Sequence, residues 1–469
     1  MSTRRTFRAA TLAAGLALCI PPGAPAQGVP PAAAAQRDSV LAWLAASAVP
    51  LRSATAGSGF DDLRPLRGVL RDVRIVGLGE ATHGSREFFQ LKHRLLEFLV
   101  REMGFRVFAI EASRAAAENV INPWVLGGEG EVGPVLDSQG FWTWNTEEVR
   151  ALLEWMRAYN RSVPPERRVK FLGFDIQVNR TGEAAVLAYL RRVAPARAAQ
   201  AEALFAVRVD SLAAAGNAGG PAADSAGARL AETVRGYEGL LGYLALNEMR
   251  FAELTSPAEF AAALGHARTL AQYVAVYSRP MTMIGDSLSA QRDRFMAENL
   301  RRLLDAEPPG TRVVLWAHNG HVQTVPSMGM PTLGMHLRRW YGDGYYALGF
   351  AFASGAFQAR DAGPDATPRW VLREFRLDAP EEGSVNWYFA RARPGDYLVD
   401  FRRAPQPTAA REWLAAPGRM ISIGSAFAAG WPRSAFYQVV EPGRAFDGIV
   451  FIRETTRARP NPTVSNVMR

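Results

Sequence analysis

A carboxylate and an imidazole stand three residues apart in Gly79-Glu80-Ala81-Thr82-His83-Gly84, directly after the apolar run Val73 to Leu78. Three further apolar runs end in residues of the same kind. Glu111 follows Arg106 to Ile110, Asp175 follows Val169 to Phe174, and His318 with His321 follow Val313 to Ala317. The chain has six histidines, so half of them fall at these run ends. Two chemistries suit such a set. In the first, His83 is a general base that takes a proton from water for attack on an ester carbonyl. Glu80 or Glu111 would orient the ring and hold its cation. Arg86, Lys92 or a second histidine, His318, would then stabilise the oxyanion. In the second, Glu80, His83, Glu111 and His318 hold a divalent metal that activates the water. The pair His318-x-x-His321 lies at a strand end, where a spacing of three points side chains to different faces. We therefore carry the metal-free base forward, with no cofactor. A serine nucleophile finds no Gly-x-Ser-x-Gly motif: Ser425 lacks the glycines, Ser287 lies in a helical pattern and Ser85 reads as a helix cap. His93, His266 and His336 sit in helical patterns and read as structural.

The elements that must bring these residues together are legible as hydrophobic periods. The short apolar runs read as buried strands, and in a parallel sheet their C-terminal ends share one edge. After Ser85 the spacing of Phe88, Phe89, Leu91, Leu95, Leu96, Phe98 and Leu99 predicts a helix closed by Gly104. Strand, helix and strand from Val73 to Ala112 predict parallel pairing with a right-handed crossover. A helix over Arg114 to Ile121 is expected to stop at Pro123, and Gly127 to Gly133 reads as a loop without the lysine of a phosphate site. Thr146 opens a helix over Glu147 to Tyr159. From Thr181 to Leu304 the pattern is helical, broken by a loop or hinge at Ala213 to Ala228. Beyond a fifth strand at Tyr345 to Phe352, short strands alternate with short helices. The fold class is α/β, a mostly parallel central sheet flanked by helices, with a helical insertion. The expected organisation is a signal peptide over 1–26, a flexible lead-in over 27–37, an α/β domain over 38–180 and 306–455, the insertion over 181–305 and a loose tail over 456–469.

Composition limits the partners. Arg4, Arg5 and Arg8, then the apolar stretch Ala9 to Ile20, then Ala24-Pro25-Ala26 form a secretory signal cut after Ala26, which predicts a secreted or periplasmic protein. The single cysteine, Cys19, falls inside that signal, so the mature chain has neither disulfide nor thiolate chemistry. The net charge of +9 comes from arginines scattered at helical-surface spacing, which excludes a nucleic-acid binder of the basic-run type. No later stretch is apolar for long enough to span a membrane. The oligomeric state is not readable.

Gly79-Glu80-Ala-Thr-His83-Gly84 with Arg86-Glu87-Phe88-Phe89 resembles the signature of the erythromycin esterase family. So do Phe108-Ala-Ile-Glu111-Ala, the Trp142-x-Trp144-x-Thr146-x-Glu148 stretch, Gly173-Phe-Asp175-Ile-Gln177, Arg292-Asp293-x-x-Met296-x-x-Asn299 and Trp316-Ala-His318-Asn319-x-His321, in family order. The resemblance implies hydrolysis of a small-molecule ester or macrolide lactone, an antibiotic-resistance activity, without a metal and with His83 activating water. It implies cleft positions for Glu80, Glu111, His318 and His321. Lys92 stands where the resistance enzymes resemble one another in carrying an arginine. The expected catalytic residues are thus His83, Glu80, Glu111, Arg86, Lys92 and His318. The expected substrate contacts are His321, Trp142, Trp144, Asp175 and Asn319. The rival from another class is a periplasmic binding protein gripping a ligand or metal in the same cleft.

Overall fold

The structure is a computed structural model, and it describes residues 31–177, 180–217, 221–278, 286–363, 371–402 and 407–461. The expected signal peptide, the first part of the lead-in and the end of the tail lie outside the described residues. Along the chain the strands are β1 (Val49–Pro50), β2 (Ile75–Leu78), β3 (Val107–Ser113), β4 (Lys170–Asp175), β5 (Val313–Trp316), β6 (Tyr345–Asp361), β7 (Leu372–Leu377), β8 (Tyr397–Asp400), β9 (Gly418–Ile421), β10 (Ala426–Phe427), β11 (Tyr437–Val440) and β12 (Gly448–Thr455). Among the described residues, ten of them form one sheet along the path β1-β8-β12-β6-β2-β5-β3-β4, with β7 and β10 added to β6. The run from β12 to β4 is parallel throughout, β8 and β7 run against it, and β1 pairs antiparallel with β8 and so runs with the core. This is the mostly parallel α/β architecture that the apolar runs predict.

Alternation along the strands sends side chains to two cores. Val76, Leu78, Phe108, Ile110, Val314 and Trp316 face one layer, with Phe88, Phe89, Leu95 and Leu96 of helix Arg86–Met103 and Leu152, Leu153 and Met156 of helix Glu147–Ser162. Ile75, Val107, Ala109, Val313 and Leu315 face the other, with Met296, Leu300 and Leu304 of helix Asp286–Asp305. Period-two strands buried on both faces read as continuous apolar runs for this reason.

Several local expectations are corrected. β2 and β3 are parallel but do not pair with each other, because β5 lies between them. Local sequence cannot reveal a strand inserted from more than two hundred residues away. The first helix, Pro31–Ser47, begins inside the expected flexible lead-in, so the described part of that lead-in is helical. The helix after β3 does not stop at Pro123. It passes through a π-turn at Ala117–Ile121 into the turn Asn122–Val125, where Pro123 occupies an early position and loses no hydrogen bond. The expected hinge near Ala213 is mostly helix, Val209–Asn217 and Pro221–Leu246. Helices Arg180–Val193 to Pro257–Tyr277 share a core of their own, whereas Asp286–Asp305 joins the sheet layer instead of the insertion. The tail is not loose as far as Asn461: Arg457 bridges Ser85, and Pro460 bridges Thr146.

Glycine sets the closest approach at the edge where the sheet ends. A Cβ on Gly84 would lie 2.0 Å from the carbonyl oxygen and 2.6 Å from the amide nitrogen of Gln358 in β6. The turn that follows β2 can press against β6 only without a side chain there. Gly84→Ala is expected to force backbone apart beside His83 and to cost at least ~2 kcal/mol of stability. Urea unfolding of the two proteins measures it, and an unchanged midpoint would remove the packing role of Gly84.

Candidate active site

Glu80 leaves the end of β2 and is fully buried. A buried carboxylate must be neutralised and fully bonded. Three elements supply donors. His83 Nδ1 donates to Oε1 at 2.6 Å, Lys92 Nζ to Oε2 at 2.6 Å, and Trp316 Nε1, at the end of β5, to Oε2 at 2.8 Å. Burial pushes the Glu80 carboxyl up, but Lys92 and the bond from His83 outweigh it and leave it below its ordinary value. Burial pushes the Lys92 ammonium down to about 8, against the pull of Glu80. With Nδ1 committed to Glu80, the His83 nitrogen left for chemistry is Nε2. His83 lines a cavity of about 600 Å³ whose wall includes Phe141, Trp142, Trp144, Tyr277, Arg292 and His321.

The turn that carries His83 is built from short polar contacts. Ser85 occupies the N-cap of the helix, yet its hydroxyl bonds Thr82 Oγ1 at 2.7 Å instead of capping the first turn. Gly84 N donates to the same Thr82 oxygen at 3.2 Å. Ile423 N donates to Ala81 O at 2.7 Å, fixing the turn from the far side.

Glu111 reaches the site through a bulge. Ile110 pairs with Gly173 and Ser113 with Asp175, so β3 carries one residue more than β4 between those pairs. The extra residue re-aims the chain at the sheet edge. Glu111 Oε1 accepts from Arg292 NH2 at 2.8 Å and lies 3.2 Å from His321 Nε2, while Oε2 accepts from His318 N at 3.0 Å. Burial pushes Glu111 up, but His321, then Arg292 and His83, hold it well below the usual range. Asp175 grips Arg292 with both oxygens, at 3.0 Å to Nε and 2.7 Å to NH2. His321 Nδ1 donates to Asp293 Oδ1 at 2.8 Å. Burial would lower His321, but Asp293 and Glu111 outweigh it and raise it to about 10, so its ring is a cation at neutral pH.

The structure thus brings His83, Glu80, Glu111, Lys92, His318, His321, Trp142, Trp144 and Asp175 to one end of the sheet, and it changes the parts that several were expected to play. Lys92 is fully buried between Glu80 and the Trp316 ring, 4.3 Å from its centroid, and cannot reach an oxyanion. Arg86 turns away to Glu148, 3.3 Å from Nε to Oε1, because that buried acid at the start of the Glu147–Ser162 helix needs a cation. His318 has both ring nitrogens in use: Nδ1 accepts from Gly320 N at 3.1 Å and Nε2 donates to Ile423 O at 3.1 Å. Burial, His83 and His321 drive it down to about 3, so it is a neutral buttress and not a second base. Asn319 and Asp175, expected as substrate contacts, are fully buried and do not line the cavity. Asn319 clamps Phe350 in β6, donating to its O at 2.8 Å and accepting from its N at 3.1 Å. Asp175 positions Arg292. Trp142 and Trp144 do line the cavity, and Trp144 Nε1 donates to Glu111 O at 2.9 Å.

Sequence reasoning left Arg292 and Asp293 without a role, and it missed Tyr277 and Arg360 as lining residues. An Arg-Asp pair at the start of a helix bound for an edge rich in acids was the available signal. Arg292 spends Nε and NH2 on Asp175 and Glu111, which leaves NH1, 3.3 Å from His321 Nε2, as its remaining donor group at the cavity.

The family profile described as Erythromycin esterase matches residues 100–455. The chain is 26% identical over 434 residues to "Erythromycin esterase type II" of Escherichia coli, covering 88% of this chain and 97% of that protein. It is 24% identical over 384 residues to "Putative hydrolase YbfO" of Bacillus subtilis (strain 168), covering 76% and 80%. Among solved structures it is similar to a succinoglycan biosynthesis protein (TM-score 0.73, 21% identity, 91% of this chain and 98% of that one). It is also similar to a mutant of erythromycin esterase EreC in its open conformation (TM-score 0.64, 18% identity, 87% and 96%). These structural likenesses establish the fold.

Two outcomes are expected from the site's electrostatics. Lys92→Met leaves Glu80 buried without its cation and is expected to cost ~3–5 kcal/mol, read from urea unfolding. His318 stays neutral to about pH 3 when folded, whereas the unfolded ring takes a proton near its ordinary 6.5. Unfolding therefore binds a proton between those values, and stability falls as pH drops through that window, by on the order of 3 kcal/mol at pH 4. His318→Gln should flatten the acid limb of a stability-against-pH curve by one proton, and an identical slope in both proteins would refute the assignment.

Proposed function

Because the chain belongs to the erythromycin esterase family, a family of hydrolases, we propose that it is an exported esterase that cleaves a carboxylic ester or macrolactone with water activated by His83. The carrying observation is the 2.6 Å bond from His83 Nδ1 to the buried Glu80, which leaves Nε2 as the base at the cavity. In this reading Nε2 takes a proton from water as the water oxygen bonds to the carbonyl carbon. Glu80 stabilises the imidazolium. The developing oxyanion lies toward Arg292 NH1, preorganised by Asp175 and Glu111 and needing no movement to act. The tetrahedral centre then expels the alkoxide, which recovers the proton from His83, giving acid and alcohol. The name of the Escherichia coli relative supports a macrolactone as one candidate substrate.

The alternative ligand set fits a divalent metal poorly. Both His318 nitrogens are taken by backbone, and Glu80 is filled by Lys92, Trp316 and His83. Glu111 already bonds Arg292 and the His318 amide. Of these four residues His83 alone offers an uncommitted ring nitrogen, whereas a metal requires several donors that converge. Export rests on the basic, apolar and small-residue segments of the first 26 residues.

His83→Asn should lower ester or macrolactone hydrolysis by about 10³-fold with the fold intact by circular dichroism, and a chelator should leave the wild-type rate unchanged. A loss of rate on chelation, restored by a divalent ion, would overturn the metal-free mechanism. Export predicts a mature protein whose N-terminal sequence begins at Gln27.

A further inference from the structure

The segment 456–461 bonds to two stretches that border the cavity, one beside His83 and one beside Trp144. At one end it runs beside the turn that holds His83: Arg86 N donates to Thr456 O at 2.9 Å, and Ala458 N donates to Gly84 O at 2.9 Å. Glu87 anchors that end, its carboxylate accepting from Thr456 N at 2.6 Å and from Thr456 Oγ1 at 2.5 Å. At the other end it meets the loop that forms the aromatic wall. Glu147 N donates to Arg459 O at 2.8 Å, and Arg459 N donates to Glu148 Oε2 at 3.1 Å. Asn461 N donates to Asn145 O at 3.1 Å, and its side-chain amide donates to Asn145 Oδ1 at 2.8 Å. Asn145 Nδ2 in turn donates to Asp137 Oδ1 at 2.5 Å, and its backbone N donates to Trp142 O at 3.3 Å.

Neither the His83 turn nor the Phe141–Trp144 wall belongs to a strand or a long helix. Their separation is set by what ties them together. We propose that residues 456–461 are a positioning strap that fixes the aromatic wall relative to the general base, with Asn461 and Asn145 as its positioning pair. The assignment rests on His83 being that base. The strap touches no reacting atom; it acts through the two segments it joins. A substrate large enough to lean on Trp142 while its carbonyl meets His83 feels the strap, and a small acyl ester does not. The arrangement also explains why a chain end that reads as loose polar sequence is bonded residue by residue in this place.

The test compares the full chain with Asn461→Ala and Asn145→Ala, and it has an arm that needs no activity. Hydrogen–deuterium exchange on the intact proteins should be faster in Asn461→Ala over the 140–146 wall and also over the 82–87 turn, the two places joined by the strap. Faster exchange at the wall alone, or at neither place, overturns the coupling. In the second arm, KM for a bulky aromatic ester should rise about tenfold with kcat within twofold, while an acetate ester is unaffected and the thermal midpoint holds. Equal changes for both esters would mean general loosening and would also overturn it. If the wild-type protein hydrolyses no ester, the exchange arm still decides the strap, and the failure belongs to the functional reading alone.

Discussion

A carboxylate with no access to water sits at the centre of this molecule, and the surrounding structure meets the demand it creates. Glu80 is completely buried, so every lone pair it uses must be met by a protein donor. The donors come from three places: Lys92 on the helix after the first core strand, Trp316 at the end of its neighbour β5, and His83 in the intervening turn. Each bond fixes one element against the others. The helix cannot rotate without moving Lys92, and β5 cannot slip by one residue without turning Trp316 to the opposite face. The imidazole tautomer follows from the same demand, because a ring nitrogen facing an ionised carboxylate carries the proton. What fixes the His83 tautomer and leaves its Nε2 free of Glu80 is thus also what holds the sheet edge together.

Around that centre lies a second charge set that resolves the problem differently. Glu111, Asp175 and Asp293 bring three negative charges, and Arg292 and His321 answer with two positive ones. His321 keeps its proton because two carboxylates face it. His318, three positions before His321, is kept neutral by burial and by the neighbouring His83 and His321, and its ring bonds backbone groups that offer no charge. The contrast between two histidines three positions apart comes from partners, not from burial, since both are largely shielded from solvent. It separates the roles that one sequence motif had offered jointly.

Much of this was legible in the sequence. Strands ending in Glu80, Glu111, Asp175 and His318 could be placed because apolar runs stop where a side chain must leave the core, and parallel strands share an edge. Their convergence followed from topology alone. The direction in which each side chain points did not. Arg86, one residue into a helix, could equally face the cleft or Glu148, and the decision belongs to a buried acid more than sixty residues away. Asn319 looked like a cleft residue because it neighbours His318, yet Gly79 leaves room for it to lie across to β6, where a Cβ would sit 2.1 Å from its oxygen. Such choices depend on pairs distant in sequence, which local periodicity does not encode. The order of strands failed for the same reason, with β5 entering between β2 and β3.

The division of labour within the cavity has a further consequence. His83 stands in the turn that ties β2 to its helix, and Glu80, Glu111, Lys92 and Arg292 stand on strand ends or on helices locked to the sheet, whereas much of the wall comes from connections and from the insertion. Phe141 and Trp142 belong to the segment before a helix, Tyr277 ends the insertion helix Pro257–Tyr277, and Ser425 lies between β9 and β10. A change at Phe141 or Trp142 removes none of the donors that hold Glu80, which are Lys92, Trp316 and His83. The cavity can therefore change shape with little cost to the polar cluster beneath it. Trp144 is the exception because its indole both meets the edge of the His83 ring and bonds the Glu111 carbonyl, so it belongs to the machinery as much as to the wall. Identity of about a quarter with an esterase of known name is then compatible with the same polar cluster under a differently shaped pocket, since Glu80 and the donors that hold it are few, buried and mutually bonded.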